Sequence, residues 1–231
     1  MEDKKKPKDC KDCLMKVPIF NYLSDEQLGM INETRCEVRF RAGETILKQG
    51  TVMTHIIIVT EGLVKTYIEG VRNNNLILNF SRPVRLIGGP GFLTDYKHHI
   101  TCVAMEETAA CFIDVNTFSE ILKMNSTFSL ELLKSVNIYT QNHYMKLIEL
   151  TQKGMHGRIA TALLYLHNDI FREADGIIRI KRQDLADLTA MSKESAIRIL
   201  KEFKDENTIT VEGNAIVLND LVRLAKISIK G

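Results

Sequence analysis

Apolar and polar positions change rhythm several times along this chain. Met1–Asp12 is lysine-rich and almost without apolar side chains, which predicts a mobile tail over residues 1–16, its lysine run at 4–6 serving solvation. Pro18-Ile19-Phe20 and Leu23 then lead into Ser24-Asp25-Glu26-Gln27-Leu28, where a serine followed three positions later by glutamine predicts the capping box of a short helix. From there the apolar residues come as β-prone runs: Glu37–Phe40, Thr45–Lys48, His55–Thr60, Leu63–Ile68, Asn75–Phe80 and Thr101–Ile113. Gly43, Gly50, Gly62, Gly70 and the cluster Gly88-Gly89-Pro90-Gly91 punctuate them. Many short strands so spaced predict a sandwich or barrel.

The rhythm turns helical at Ser126. No proline or glycine interrupts the stretch to Lys153, and Leu133, Val136, Thr140, His143, Leu147 and Leu150 recur at alternating spacings of three and four. A helix this long between two compact units either packs on its own domain or pairs with its twin, and pairing is the expectation adopted. Gly154 breaks it, and Gly157-Arg158-Ile159-Ala160 opens the next helix, with Ala160, Leu163, Leu164 and Leu166 as its apolar side.

Past Arg182 two short helices follow. Gln183–Leu188 carries Leu185 and Leu188 three apart; Thr189-Ala190-Met191 connects. Ala196, Ile199, Leu200 and Phe203 then form one buried helical stripe behind Ser192, a good N-cap. Glu194, Arg198 and Lys201 share the opposite face. With Lys193 and Ser195 they offer a guanidinium able to grip a guanine edge, a carboxylate able to accept from cytosine, and cations for phosphates. A solvated helical hairpin would explain two such helices alone. The sequence after Asn207 decides against it, because Thr208–Val211 and Ala215–Leu218 are β-prone and turn at Gly213-Asn214, the signal of a hairpin wing. Helix, turn, helix and hairpin in that order read as a winged helix-turn-helix, a DNA reader.

Composition narrows this further. The 231 residues are 45% hydrophobic, enough for one large core or two modest ones, with no apolar run of membrane-spanning length and no secretory signal behind the N-terminal lysines. Five cysteines at irregular spacing do not outline a disulfide framework, so a reducing cytoplasm is the simplest compartment. The net charge of only +2 excludes a non-specific nucleic-acid coater. DNA binding must then be local and geometric.

From Val17 to Leu224 the chain resembles the Crp/Fnr family of bacterial transcription regulators. The resemblance is carried by Pro18-Ile19-Phe20 with Leu23-Ser24, by Phe40-Arg41-Ala42-Gly43-Glu44-Thr45-Ile46 with Gln49-Gly50, and by Ile57-Ile58-Val59, Glu61-Gly62 and Val64-Lys65. Behind these come Gly157-Arg158-Ile159-Ala160, Arg182-Gln183-Asp184-Leu185-Ala186, Ser192-Lys193-Glu194-Ser195 and Arg198-Ile199-Leu200-Lys201. It implies an α+β protein: a cyclic-nucleotide-binding-like β-roll of jelly-roll type over 17–125, a dimerisation helix over 126–153 and a winged helix-turn-helix domain over 154–231. It also implies base reading by Lys193, Glu194 and Arg198 and phosphate contacts from Gln183, Ser192 and Ser195, to which Lys201 is added as a cation on the same face. The implied partners are palindromic operator DNA, a second copy of the chain, RNA polymerase and an unnamed small-molecule effector. The chain departs from the family pattern at Lys193, where arginine is common, at Ala190, where the turn usually has glycine, and near Lys181, where a small hydroxyl residue usually caps.

Family members that bind cyclic nucleotides hold the ribose with a Gly-Glu pair and the phosphate with an Arg-Ser or Arg-Thr pair. Here the resemblance places Gly88-Gly89 at the first and His99 or Ile100 with Thr101 at the second, while His143-Tyr144 falls at the adenine contact. No arginine occurs between Arg85 and Arg158, and histidine is mostly neutral at pH 7. Cyclic AMP is therefore not expected, and His98-His99 is read as solvent-exposed. Cys10 and Cys13, with Cys111 at the family's distant cluster position, leave a redox or metal sensor as the alternative to ordinary reduced cysteines. No cofactor, metal or catalytic constellation is otherwise indicated, and a binding module without DNA remains the other reading.

Overall fold

A computed structural model of the chain describes residues 9, 10, 13, 16–71, 74–172 and 176–231. The lysine run at 4–6 lies outside them. Two compact units emerge: the described residues up to Ile68 with Phe80–Thr140, and Glu69–Asn79 with Gln141–Gly231.

In the first unit a 3-10 turn (Pro18–Tyr22) leads to α1 (Asp25–Thr34). Ser24 Oγ accepts the Gln27 backbone N–H at 3.2 Å while Gln27 Oε1 accepts that of Ser24 at 3.0 Å, the predicted capping box. Eight strands follow: β1 (Cys36–Phe40), β2 (Thr45–Leu47), β3 (His55–Glu61), β4 (Val64–Ile68), β5 (Leu76–Ser81), β6 (Arg85–Ile87), β7 (Thr101–Ala104) and β8 (Thr108–Asp114). They form two four-stranded sheets, ordered β1-β8-β3-β6 and β2-β7-β4-β5, as a jelly-roll-like β-roll requires. The run expected as one strand over Thr101–Ile113 is two, and the chain turns back at Met105–Glu107. Gly62, at φ +89°, serves that crossing: a Cβ there would come within 2.5 Å of the Glu107 carbonyl.

Two helices then cover the core. Asp114 accepts from the N–H groups of Asn116 and Thr117 and opens α2 (Val115–Met124), which the strand pattern had hidden. The long helix α3 (Ser126–Gln152) starts where the Asn125 side chain accepts from the Phe128 N–H and donates to the Tyr22 carbonyl. Phe128 packs with its ring 6.1 Å from Phe20 and 5.6 Å from Phe118. It is the only residue of α3 that is fully buried. Leu133, Val136 and Leu147, members of the predicted seam, are each more than half exposed, as is Leu130.

The second unit contains α4 (Met155–Tyr165), which starts directly after Gly154, two residues ahead of the Gly157 start expected, and continues into a π turn (Leu166–Ile170). After β9 (Ile178–Arg179) come α5 (Arg182–Leu188), α6 (Lys193–Asp205), the hairpin β10 (Ile209–Glu212) and β11 (Ala215–Leu218), and α7 (Leu221–Lys230). β9 adds a third strand to the hairpin, in the order β10-β11-β9. α7 packs along α4, and Gly157 lets the chain end approach closely: a Cβ there would lie 2.7 Å from the backbone of Gly231.

Candidate nucleic-acid interface

The apolar stripe of α6 is buried as read, with Ala196, Ile199, Leu200 and Phe203 all at 3% exposure or less. That fixes the other face outward. Lys193, Glu194, Arg198 and Lys201 are exposed there, with Ser195 half-buried beside them. Ser192 Oγ accepts the Ser195 N–H at 3.1 Å, so it caps the helix and leaves the free N–H groups of the first turn facing outward, where an anion is favoured. Gln183, exposed on α5, donates to Asp187 at 2.7 Å. Lys181 stands at the N-cap of α5 without a side-chain capping bond, in line with its departure from the family pattern.

The structure adds residues the sequence did not single out. Arg198 Nη1 donates to Glu202 Oε1 at 3.3 Å, and the other oxygen of that carboxylate lies 2.6 Å from His156 Nε2 on α4. The His156 hydrogen bond holds the Glu202 carboxyl below the usual carboxylate range. Arg198, Glu202 and His156 thus form one hydrogen-bonded chain across α6 and α4. The turn joining α5 to α6 is left-handed at Ala190, φ +50°, a conformation that costs alanine about 1 kcal/mol or more. Arg182 ties α5 to the wing by donating to the Gly213 carbonyl at 2.7 Å.

Of the residues expected to line an effector pocket, Gly88 and Gly89 follow β6; Gly89 has φ +106°, and a Cβ on nearby Gly91 would strike the Lys97 carbonyl, so the loop itself requires glycine at 89 and 91, whereas a Cβ at 88 would meet only ordinary contacts. Thr101 is fully buried and its hydroxyl accepts the Gln49 N–H at 3.0 Å. His99 is exposed and bonded to Asp95 at 3.1 Å. His143 and Tyr144 lie on the part of α3 that belongs to the second unit.

Solvent exposure of both adjacent histidines is corrected by the structure: His98 is 7% exposed. Its backbone pairs with the 50–51 segment, where Gly50 N–H donates to the His98 carbonyl at 2.7 Å and His98 N–H to Thr51 at 2.9 Å, which turns the ring inward beside a cleft of about 280 Å³ lined by Lys48, Thr51, Thr54 and His55. Burial lowers the His98 pKa from 6.5. The unfolded chain then takes up a proton more readily, so the stability His98 contributes is complete above its unfolded pKa and is lost as pH falls from that value through the lower folded one. Urea midpoints of the wild type between about pH 8 and pH 5 are expected to drop more steeply than those of His98→Asn. Equal slopes would show that His98 is not the group responsible.

Among the cysteines, Cys10 departs from the expected mobile tail, being packed in the core with Ile113 and Phe118. Cys10 and Cys111 both receive hydrogen bonds from the Arg35 guanidinium, with 3.9 Å from Nη1 to the Cys111 sulfur, and Cys13 lies nearby. Burial pushes the Cys111 thiol up to about 11 and raises Cys10 as well. Among the described residues no three histidine, cysteine, aspartate or glutamate side chains converge as metal ligands do.

Comparison with known proteins agrees with this geometry. The profile of the cyclic nucleotide-binding domain matches residues 37–125, and that of the Crp-like helix-turn-helix domain matches residues 157–227. The chain belongs to the Crp/Fnr family. It is 22% identical over 225 residues to the transcriptional activator protein Anr of Pseudomonas protegens, covering 95% of this chain and 92% of that one. To the cAMP-activated global transcriptional regulator CRP of Salmonella typhimurium it is 25% identical over 190 residues, 80% of this chain and 90% of that one. The fold is shared with FixK2 from Bradyrhizobium japonicum at a TM-score of 0.72 and 18% identity, covering 84% of this chain and 97% of that one. This Crp/Fnr protein is a DNA-binding transcription regulator with an antiparallel N-terminal domain, a long helix and a C-terminal helix-turn-helix. Among the described residues no helix is long and apolar enough to cross a membrane.

Proposed function

We propose that this Crp/Fnr regulator acts as a homodimer, paired through α3, on a palindromic operator, and that its N-terminal domain responds to an effector other than cyclic AMP. The observation that carries the DNA side is the division of α6 into a buried apolar stripe and an exposed face bearing Lys193, Glu194, Arg198 and Lys201. Arg198 and Glu194 read base edges in the major groove, with Lys193 as a third base contact lacking arginine's planar fork. Gln183, Ser192, Ser195 and Lys201 hold phosphates. RNA polymerase is the partner through which such a dimer changes transcription. Pairing is supported by the exposed apolar row on α3, which a solvated helix would not keep.

The Salmonella relative is cAMP-activated. This chain has glycine at the matching position for the ribose-holding carboxylate and His99 or Ile100 at that for the phosphate-gripping arginine. Calorimetric titration with cyclic AMP is expected to give no micromolar binding. Micromolar binding that disappears on changing Thr101 and tightens DNA binding would overturn this reading of the pocket. Selecting fragments of host genomic DNA with the protein, with and without a metabolite extract, tests DNA specificity and effector dependence together. Absence of any enriched sequence would favour a binding module that does not use DNA.

A further inference from the structure

Two cations grip the turn of the helix-turn-helix from behind. Lys146, half-buried near the end of α3, donates from Nζ to the Leu188 carbonyl at 2.8 Å. Arg158, in the first turn of α4, donates from Nη1 to the carbonyls of Thr189 at 2.9 Å and Ala190 at 3.2 Å. Three successive carbonyls thus receive charged donors from two separate helices. Desolvation draws the Lys146 ammonium below its usual pKa, partly opposed by Glu149. Burying an ammonium is unfavourable in itself, so its placement against the C-terminal carbonyls of α5, the negative end of a helix, has to offset that cost.

The turn these cations hold is the one that needs holding. Ala190 is left-handed without being glycine, and the backbone there would relax if its carbonyls were released. Thr189 adds its own closure, its hydroxyl donating to the Leu185 carbonyl at 2.7 Å. Where α5 ends and how sharply the chain turns decide the direction in which α6 leaves, and with it where Glu194 and Arg198 stand. We infer that Lys146 and Arg158 are positioning residues for α6: they fix the turn by its carbonyls and so set the docking angle of the recognition face, without touching DNA. This rests on α6 being the DNA-reading helix.

A positioning role and a merely structural one separate in specificity. The full-length protein would be titrated against an operator duplex selected by the wild type from a random pool, and against a scrambled duplex, across a range of salt. Lys146→Met is expected to weaken operator binding roughly 10- to 100-fold, the range set by loss of a hydrogen bond to a charged group, while leaving scrambled-duplex affinity and the salt slope unchanged. Lys146→Arg is expected to retain binding. Adding Ala190→Gly to Lys146→Met is expected to restore part of it, since glycine adopts the turn unaided. Arg158→Lys, which keeps the charge but not the reach to two carbonyls, is the second test and applies if methionine at 146 prevents folding. Variants that discriminate operator from scrambled duplex as well as the wild type, or that weaken both equally, would overturn the inference. A wild type that does not discriminate would instead refute the DNA reading beneath it.

Discussion

Arg198→Ala is expected to weaken operator binding by roughly 1–3 kcal/mol per half-site and to relax preference at one base pair in each. The loss is of two parallel donors, which a guanine edge accepts together and no other base matches in the major groove. In the free protein Glu202, itself bonded to His156, holds the Arg198 guanidinium at 3.3 Å. In a symmetric complex the two half-sites multiply, so the variant loses most of its distinction between operator and random DNA. Lys201→Ala removes a point charge from the same face and gives the contrasting pattern. It should weaken all sequences alike and flatten the salt dependence by about 0.9 of a logarithmic slope unit per subunit. Titrations on the operator and its single-base variants at several salt concentrations separate the two. A uniform loss for Arg198→Ala, with no base relaxed, would mean that α6 docks by charge alone.

Replacing both Leu133 and Leu147 by glutamate is expected to convert the protein to monomers. These side chains are exposed on the single chain, so neither replacement disturbs the core, which α3 joins through Phe128. In the paired helices each glutamate would instead be buried, at a cost of several kcal/mol per ion, roughly, where a leucine had contributed about 1.5–3 kcal/mol. Sedimentation should give the monomer mass, with circular dichroism unchanged. Operator affinity should fall by ~10²–10⁴, the gain that tethering two half-site readers together provides. A dimer of unchanged mass would move the interface to another surface.

How much of this was legible in the sequence depended on how local the signal was. The Ser24–Gln27 capping box, the Ser192 cap, the stripe of α6 and the Gly213-Asn214 hairpin all lie within a few residues, and the structure has each of them. α2 was hidden because Val115 follows β8 with no glycine or proline between, so its helical spacing of Val115, Phe118 and Ile121 reads as more strand. β9 is two residues long and takes its identity only from β11 beside it. Within the candidate site, outward-facing residues could be read from periodicity. The contacts of His156, Lys146 and Arg158 could not, because their partners lie 31 to 46 residues away in sequence, whereas the Arg198–Glu202 pair, four apart on one helix, was within reach of that spacing and was not singled out. Arg158 had already stood out in the Gly157-Arg158-Ile159-Ala160 motif, yet its task, holding the Thr189 and Ala190 carbonyls, is a property of packing. The inward turn of His98 likewise follows from a backbone pairing with residues 50–51 that no spacing announces.

We propose a two-fold dimer that delivers two recognition helices to one face of the DNA. Footprinting the full-length protein on its selected operator, with the mass of the complex measured in parallel, tests it most directly. Two protected half-sites of inverted sequence are expected, with centres one helical turn, ~34 Å, apart and bound by two chains. A single asymmetric half-site occupied by one chain would contradict it.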